Sequence, residues 1–401
     1  MVVLSASLLV FISVPLVYFI CIAIAATRSA TSVQLDGRDP SHRFAITIPA
    51  HNEAAVIQET IRLIFAIDYP EDLYEVHIVA DHCSDNTAEI ARESGARVHE
   101  RKTCTRGGKG EALSWLFSRI LDSDEIDAVI VFDADTRVHH NFLRVMDFHL
   151  AQGDQVIQGQ HVISNPDNGW FPALTWAMLL VDNRFQNLGR SNLGLSAKNM
   201  GDSICIRAEI LRKLGWGSGL TEDYEFRKKL VFEGGQIVYE PSALGFGEAP
   251  RSWAQARAQR TRWLRGTYDV SLERGPKLLL AGIKACNPVL LDGAIQMFIP
   301  SYSTITMLAM FLLAGQVLIQ FLIYPIFPKY LLGGWTVVSV VLFLYPFWGL
   351  ILEQAPLKAF LVMLSGPFYI VWRTWLAISV RYSNQPIIWK RTSHEGQNSS
   401  K

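Results

Sequence analysis

The sequence predicts an α/β domain with a mainly parallel sheet, set between helices that cross or lie on a membrane, and two observations carry that expectation. Apolar residues collect in one run at the amino terminus and in several runs after residue 288, while most of the charge lies between them. From Phe44 onward the middle segment alternates short β-rich runs with stretches of helical period, the order that builds a parallel sheet with helices on its faces.

Residues 2–26 form a run of roughly 25 uncharged residues, enough to cross a hydrocarbon core at about 1.5 Å per residue. Ala23-Ile24-Ala25 resembles a cleavage site, but the run lacks a basic leading region and is too long for a signal peptide. It is expected to be an anchor over residues 1–27.

In the next segment, residues 40–250, strands are expected at 44–49, 75–80, 128–132 and 156–163, with helices at 53–65, 86–93 and 110–121. In such sheets ligands bind beyond the carboxyl ends of the strands, so the residues just past each strand are candidates for a site. Residues 251–298 then carry an Arg-rich helix over 251–269 and a second amphipathic stretch over 276–297. Apolar spans are expected at 301–323, 335–352 and 357–372 within a membrane region of 299–382, followed by a basic polar tail of 383–401.

A cytosolic middle domain and three carboxyl-terminal spans would place the tail outside. Yet Arg373, Arg381, Lys390 and Arg391 make it the most basic segment beside a span, which favours the cytosol. The expectation that reconciles the two is that 357–382 does not fully cross, being broken near Gly366-Pro367.

The composition allows a large core, since 50% of the 401 residues are hydrophobic. Lys and Arg balance Asp and Glu at 37 each, so no basic surplus points to nucleic acid. Five cysteines with no Cys-x-x-Cys pair argue against a disulfide framework and against a zinc site.

Asp133-Ala134-Asp135 follows an apolar strand, and side chains two apart on extended chain share a face. Both carboxylates can therefore reach one hard divalent cation, Mg2+ or Mn2+, which would bridge a diphosphate and stabilise its departure. Asp81, Asn52 and Glu53 also follow strand ends, where acids contact ribose or base edges; Asn52 and Asp85 could equally cap the following helices. Thr221-Glu222-Asp223 opens a helix, and Asp223 is the candidate general base, against the alternative that the triplet only caps the helix. Lys109 stands in Arg106-Gly107-Gly108-Lys109-Gly110, a loop suited to phosphate but without Walker spacing. Gln259, Arg262 and Trp263 share a helix face, offering a forked donor for a diphosphate and a flat ring for a sugar. Arg251, Arg257, Arg260 and Arg265 would equally attract anionic lipid. His51, His82, His139 and His140 are read as loop or packing residues.

This ordered series from Pro49 to Trp263 closely resembles glycosyltransferase family 2, in its membrane-embedded branch of hyaluronan, chitin, cellulose and poly-N-acetylglucosamine synthases, over roughly residues 40–275. The resemblance implies a GT-A (nucleotide-diphospho-sugar transferase) fold and inverting transfer from a nucleotide diphosphate sugar, a UDP-sugar first. It implies that Ala50, Glu53 and Asp81 line the base pocket and that Lys109 lies on the donor side. Asp133 and Asp135 match the Asp-x-Asp, with Asp135 on the metal, and Asp223 is the base. Gln259 and Arg262 stand near the diphosphate, with Trp263 and Glu222 toward the acceptor. Gly201-Asp202-Ser203 departs from relatives that often carry a second glycine there, and Trp389-Lys390-Arg391-Thr392 resembles a Trp-x-x-Thr loop that folds back toward the site.

The acceptor expected is a growing polysaccharide, made processively by a multi-pass enzyme of the cell membrane with a cytosolic catalytic domain. Ceramide glucosyltransferases, which add one sugar to a lipid, share the pattern, so a lipid acceptor is the alternative. Few spans imply self-association or an export partner for a polymer. An inactive scaffold or nucleotide-sugar sensor is a third reading, opposed by the presence of every expected acid.

Overall fold

The computed structural model describes the chain except for residues 31, 32, 34, 36–38, 103–107, 123, 218, 220 and 382–401. Cys104, Arg106, Gly107 and the Trp389-Lys390-Arg391-Thr392 segment lie outside the described residues.

Among the described residues eight strands form one sheet: β1 Phe44–Ala50, β2 Tyr74–Asp81, β3 Arg97–Arg101, β4 Ala128–Val131, β5 Arg137–Val138, β6 Val156–Ile163, β7 Ile204–Arg207 and β8 Val238–Gly247. Their spatial order is β3-β2-β1-β4-β7-β6-β8-β5. β3, β2, β1 and β4 run parallel, as do β6 and β8, while β7 lies antiparallel to both β4 and β6, and β5 antiparallel to β8. The sheet is therefore mixed, with the parallel half at the amino-terminal side. Its two faces bury separate apolar clusters, one around Ile46, Ile61, Ile130 and Phe142 and one around Val79, Leu113, Val129 and Phe226.

All four expected strands are present. Three of the other four carry weaker signals, each for a physical reason. β3 is an edge strand of Arg, His and Glu, β5 has two residues, and β8 contains Pro241 opposite a register shift between Gly159 and Gln160 on β6. The first helix of the domain is shorter than expected, Ile57–Ile64. Residues 53–56 stay outside it, where the Glu53 N–H donates to Thr87 Oγ1 at 2.8 Å and ties the loop to the first residue of the helix Thr87–Glu93.

The carboxyl-terminal helices correct the sequence expectation at one point. The Arg-rich helix does not stop near residue 269 but runs Trp253–Ala285, through Pro276. Its start is fixed by a capping box between Ser252 and Gln255. It ends where Cys286 takes a left-handed φ of 48° and Asn287 Oδ1 accepts the N–H groups of Val289 and Leu290, opening the helix Pro288–Phe298. The termination signal at Cys286-Asn287-Pro288 is stronger than the proline ten residues before it.

Among the described residues three helices are long and apolar enough to cross a membrane: Val2–Ala25, Tyr302–Ile323 and Lys329–Leu352. A fourth apolar pair, Leu357–Met363 and Gly366–Val380, bends by 50°, so the break expected near Gly366-Pro367 is present. The amino-terminal helix packs through Ile12, Leu16 and Phe19 against Phe185, Trp335 and Tyr345.

The join between these helices and the α/β domain is polar and buried. The helix from Trp170 widens into a π-helical stretch at Asn183–Gly189 and ends at Arg190–Asn192. Arg190 donates to both oxygens of Asp292 at 2.8 and 2.7 Å and to the Tyr18 hydroxyl at 2.8 Å, and Tyr18 donates to Asp292 at 2.5 Å. One ion pair thus links the anchor helix, the domain and the helix Pro288–Phe298.

Inside the domain, His149 Nδ1 lies 2.7 Å from Asp154 and Nε2 2.8 Å from Glu240. Burial pushes this imidazole down, but the two carboxylates outweigh it and lift it to about 9. A folded value above the unfolded one, about 6.5, makes the contribution to stability complete below that pH and lost as pH rises through about 9. His149→Gln should therefore lower Tm clearly at pH 6 and much less at pH 10, read by thermal denaturation at both.

Candidate active site

The site lies beyond the carboxyl ends of β1, β2 and β4. β1 and β2 both leave the sheet through residues with left-handed backbone, Asn52 at φ 58° and His82 at φ 51°. Asn52 Oδ1 accepts the Ser84 N–H at 2.8 Å, and Asp85 accepts from Thr87 and Ala54. Asp85 accepts the N–H of Thr87, the first residue of the helix Thr87–Glu93, and with Asn52 also joins the two strand-end loops to each other. Asp81, at the end of β2, is buried and held by Arg101 Nη1 at 2.6 Å, with His82 Nδ1 at 2.9 Å. Pro49, Ala50, Glu53 and Asp81 line one end of a cavity of about 1230 Å3.

Past β4, Asp133 and Asp135 line the same cavity. The loop that carries them is held by Thr60 Oγ1, which donates to the Ala134 carbonyl at 2.8 Å. A further carboxylate organises it. Asp202 Oδ1 accepts the Asp133 N–H at 3.1 Å and the Thr136 hydroxyl at 3.0 Å, while Oδ2 lies 2.8 Å from His161 Nδ1. Burial pushes the His161 imidazole down, but Asp202 and the nearby charges of Asp133 and Asp135 hold it above its ordinary range. Burial raises Asp202, yet His161 and Lys109 keep it below the usual carboxylate range.

Lys109 is the first residue of the helix Lys109–Ile120, and its Nζ donates to Asp133 Oδ1 and to the Gly201 carbonyl, each at 2.5 Å. Burial opposes its charge, but Asp133, Glu222 and Asp202 more than compensate. The lysine neutralises the carboxylate floor at Asp133.

Among the described residues no three His, Cys, Asp or Glu side chains gather as a closed metal cage. One or two carboxylate oxygens opening on a cavity fit a hard ion that keeps water and substrate phosphates as its other ligands, the habit of Mg2+ and of Mn2+. Asp135 and Asp133 are the residues that fit it.

Glu222 and Asp223 open the helix Glu222–Phe232. Thr221 precedes it but makes no side-chain cap bond, and its Oγ1 is buried without a hydrogen-bond partner, so capping does not account for the triplet. Glycines crowd it instead. A Cβ at Gly110 would stand 2.6 Å from Glu222 Cβ, and one at Gly266 would stand 2.5 Å from Thr221 Oγ1, so the Arg-rich helix packs directly on the triplet. Burial and the adjacent Asp223 push Glu222 up to about 7, and burial also raises Asp223. Arg262 is close enough for its charge to act on both acids.

The Arg-rich helix closes the cavity. Gln259, Arg262 and Trp263 all line it, as do Glu222 and Asp223, so they share one space with Ala50, Glu53, Asp81, Lys109, Asp133 and Asp135, whereas Asn52 does not line it. Its far end continues between the apolar helices, past Tyr302, Met310, Phe343, Phe347 and Met363.

Arg101, His161 and Asp202 escaped the sequence reading. Asp202 had a trace in the departure at Gly201-Asp202-Ser203, where Ser203 takes a φ of 56°, a backbone that favours glycine. His161 lies within a strand with no local mark, and Arg101 reads as an ordinary edge-strand cation.

A sequence profile of the family described as Glycosyltransferase like family 2 matches residues 40–266. Among curated relatives, the chain is 29% identical over 248 residues to the probable glycosyltransferase YdaM of Bacillus subtilis strain 168, covering 58% of this chain and 56% of that one. It is 28% identical over 241 residues to the β-monoglucosyldiacylglycerol synthase of Trichormus variabilis (57% and 50%), and 27% over 239 residues to the poly-β-1,6-N-acetyl-D-glucosamine synthase of Staphylococcus epidermidis (57% and 55%). The chain thus spans about half the length of the curated relatives it matches. The mannosyltransferase PcManGT from Pyrobaculum calidifontis, solved with GDP-Man and Mn2+, shares the fold at a TM-score of 0.53 and 16% identity, over 88% of this chain and 97% of that one. With the profile covering more than half of the chain and the sheet matching a nucleotide-sugar transferase fold, the chain belongs to the glycosyltransferase-like family 2.

Proposed function

We propose that the chain is an inverting glycosyltransferase that moves a sugar from a nucleotide diphosphate donor, a UDP-sugar first, to an acceptor presented from the membrane side. The observation that carries this reading is the single cavity lined in turn by Asp81, Asp135, Asp223, Arg262 and Trp263, residues scattered over the sequence. Ala50, Glu53 and Asp81 would receive the base and ribose. Asp135, with Asp133, would hold Mg2+ or Mn2+, which when bound supplies Lewis-acid stabilisation of the leaving diphosphate. Arg262 and Gln259 would orient the diphosphate from the opposite wall, and Trp263 offers its half-exposed ring to a sugar.

In the transfer, Asp223 takes the proton of the acceptor hydroxyl as its oxygen bonds to the anomeric carbon and the carbon–oxygen bond to the diphosphate breaks. Glu222 beside it steers the acceptor. Lys109 and His161 keep the carboxylate floor from repelling the donor's phosphates. The α/β domain would face the cytosol, where the donor is made.

The acceptor expected first is a growing saccharide. The second reading, one sugar on a lipid, is favoured by the apolar far end of the cavity, with Met310, Phe343, Phe347 and Met363 in its lining. Product size after incubation with labelled donor separates them: a ladder means repeated addition, one lipid-soluble species a single transfer.

Asp223→Asn should lower kcat by about 100-fold or more while leaving donor binding near wild type; unchanged turnover would return the chain to a scaffold or sensor. Asp135→Asn should abolish the response of donor turnover to added Mg2+ or Mn2+, measured by release of nucleotide diphosphate.

The pH profile follows from the raised acids. A base acts only when ionised, so activity should be present above the apparent pKa of the Glu222-Asp223 pair and lost as pH falls through it. The midpoint of kcat/KM should lie above the ordinary Asp value of about 4, toward the value of about 7 that burial gives Glu222. Glu222→Gln should move that midpoint down, because the neighbouring negative charge is gone.

A further inference from the structure

The cavity has a second cationic group to which the transfer chemistry above assigns no role. Arg260 of the helix Trp253–Ala285 and Arg373 of the helix Gly366–Arg381 both line it between the apolar helices, with Ser303, Tyr369 and Trp263. Neither guanidinium has a carboxylate partner among the described residues. Arg373 donates to Ser303 Oγ at 2.5 Å. Arg260 lies over the Trp263 ring at 4.6 Å, and its Nε is buried without an acceptor. Tyr369, one helical turn before Arg373, has a buried hydroxyl that is also without a partner.

Two acids of the same lining, Asp182 and Glu248, are already engaged. Asp182 takes Lys198 on both oxygens at 2.7 and 2.8 Å, and Glu248 takes Arg251 at 3.0 and 3.1 Å. Two unpaired guanidiniums and an orphan phenol in one cavity are costly unless an anion joins them. Arg260 and Arg262 line the cavity from different sides of their helix, because positions two apart point about 160° from each other.

We propose that this end of the cavity binds the phosphate group of a membrane lipid. Two guanidinium forks, a phenol and a hydroxyl offer more donors than a carboxylate can accept and match the oxygens of a phosphate. Met310, Phe343, Phe347, Met363 and Ile370 provide the apolar path for its chains, a path that a free phosphate ion does not need. The inference rests on the transferase reading in one respect: the lipid so held is the acceptor, or the carrier of the acceptor sugar, brought beside Trp263 and Asp223.

The test uses the full chain in phosphatidylcholine nanodiscs doped with brominated phosphatidic acid or, as the uncharged match, brominated diacylglycerol. Quenching of Trp263 is read as the difference from Trp263→Phe. Quenching should saturate at a lower fraction of phosphatidic acid than of diacylglycerol, and the double substitution R260Q/R373Q should raise the half-saturating fraction roughly tenfold or more. Single substitutions should each do so in part, which keeps the test usable if the double variant does not fold. Arg257→Gln, on the same helix but stacked on the exposed Trp375, should bind as wild type does.

Equal loss in Arg257→Gln, no preference between the two lipids, or displacement of the bound lipid by millimolar inorganic phosphate would overturn the proposal. No sugar is transferred in this measurement. A chain that binds phosphatidic acid as described but never turns over a donor counts against the transferase reading, whereas donor turnover without phosphate preference counts against this one.

Discussion

Counter-charge inside the cavity is the constraint on which the rest of the site depends. Asp81, Asp133, Asp202, Glu222 and Asp223 would repel one another if they faced one space unpaired. Each of the first three is met by a cation from another element: Arg101 on Asp81, Lys109 on Asp133 and His161 on Asp202. The two acids without such a direct partner are those whose protonation burial favours. The same distribution that stabilises the floor therefore leaves one pair poised to exchange a proton.

A second constraint joins this floor to the membrane helices. The Arg-rich helix approaches Thr221 closely only because residue 266 is glycine, and the helix Pro288–Phe298 is held by the pair of Arg190 and Asp292. Glu222 and Asp223, the roof over them and the apolar helices below are consequently one packed unit. Replacing one partner of the Arg190-Asp292 pair would leave a buried charge alone, which is more damaging than the pair itself is stabilising.

Much of the sheet was legible because parallel strands buried on both faces read as continuous apolar runs, as at 44–49 and 128–131. β3 and β8 were not, since an edge strand of charged residues and a strand interrupted by proline do not show that pattern. The end of the Arg-rich helix was misplaced for a related reason. Proline at 276 is a local breaking signal, but the helix continues through it to the stop at Cys286-Asn287.

The sequence by itself determined which acids, which arginine and which tryptophan are available, and that apolar helices flank them, because strand ends, helix faces and membrane runs are patterns among near neighbours. Only the tertiary structure decided which cation answers which acid, that Lys109 serves Asp133, and that Arg260 and Arg373 share one cavity. Those contacts join residues such as Arg373 and Ser303, 70 positions apart, and Arg190 and Asp292, 102 apart. No pattern within a single element specifies them, since they follow from how the sheet and the helices pack.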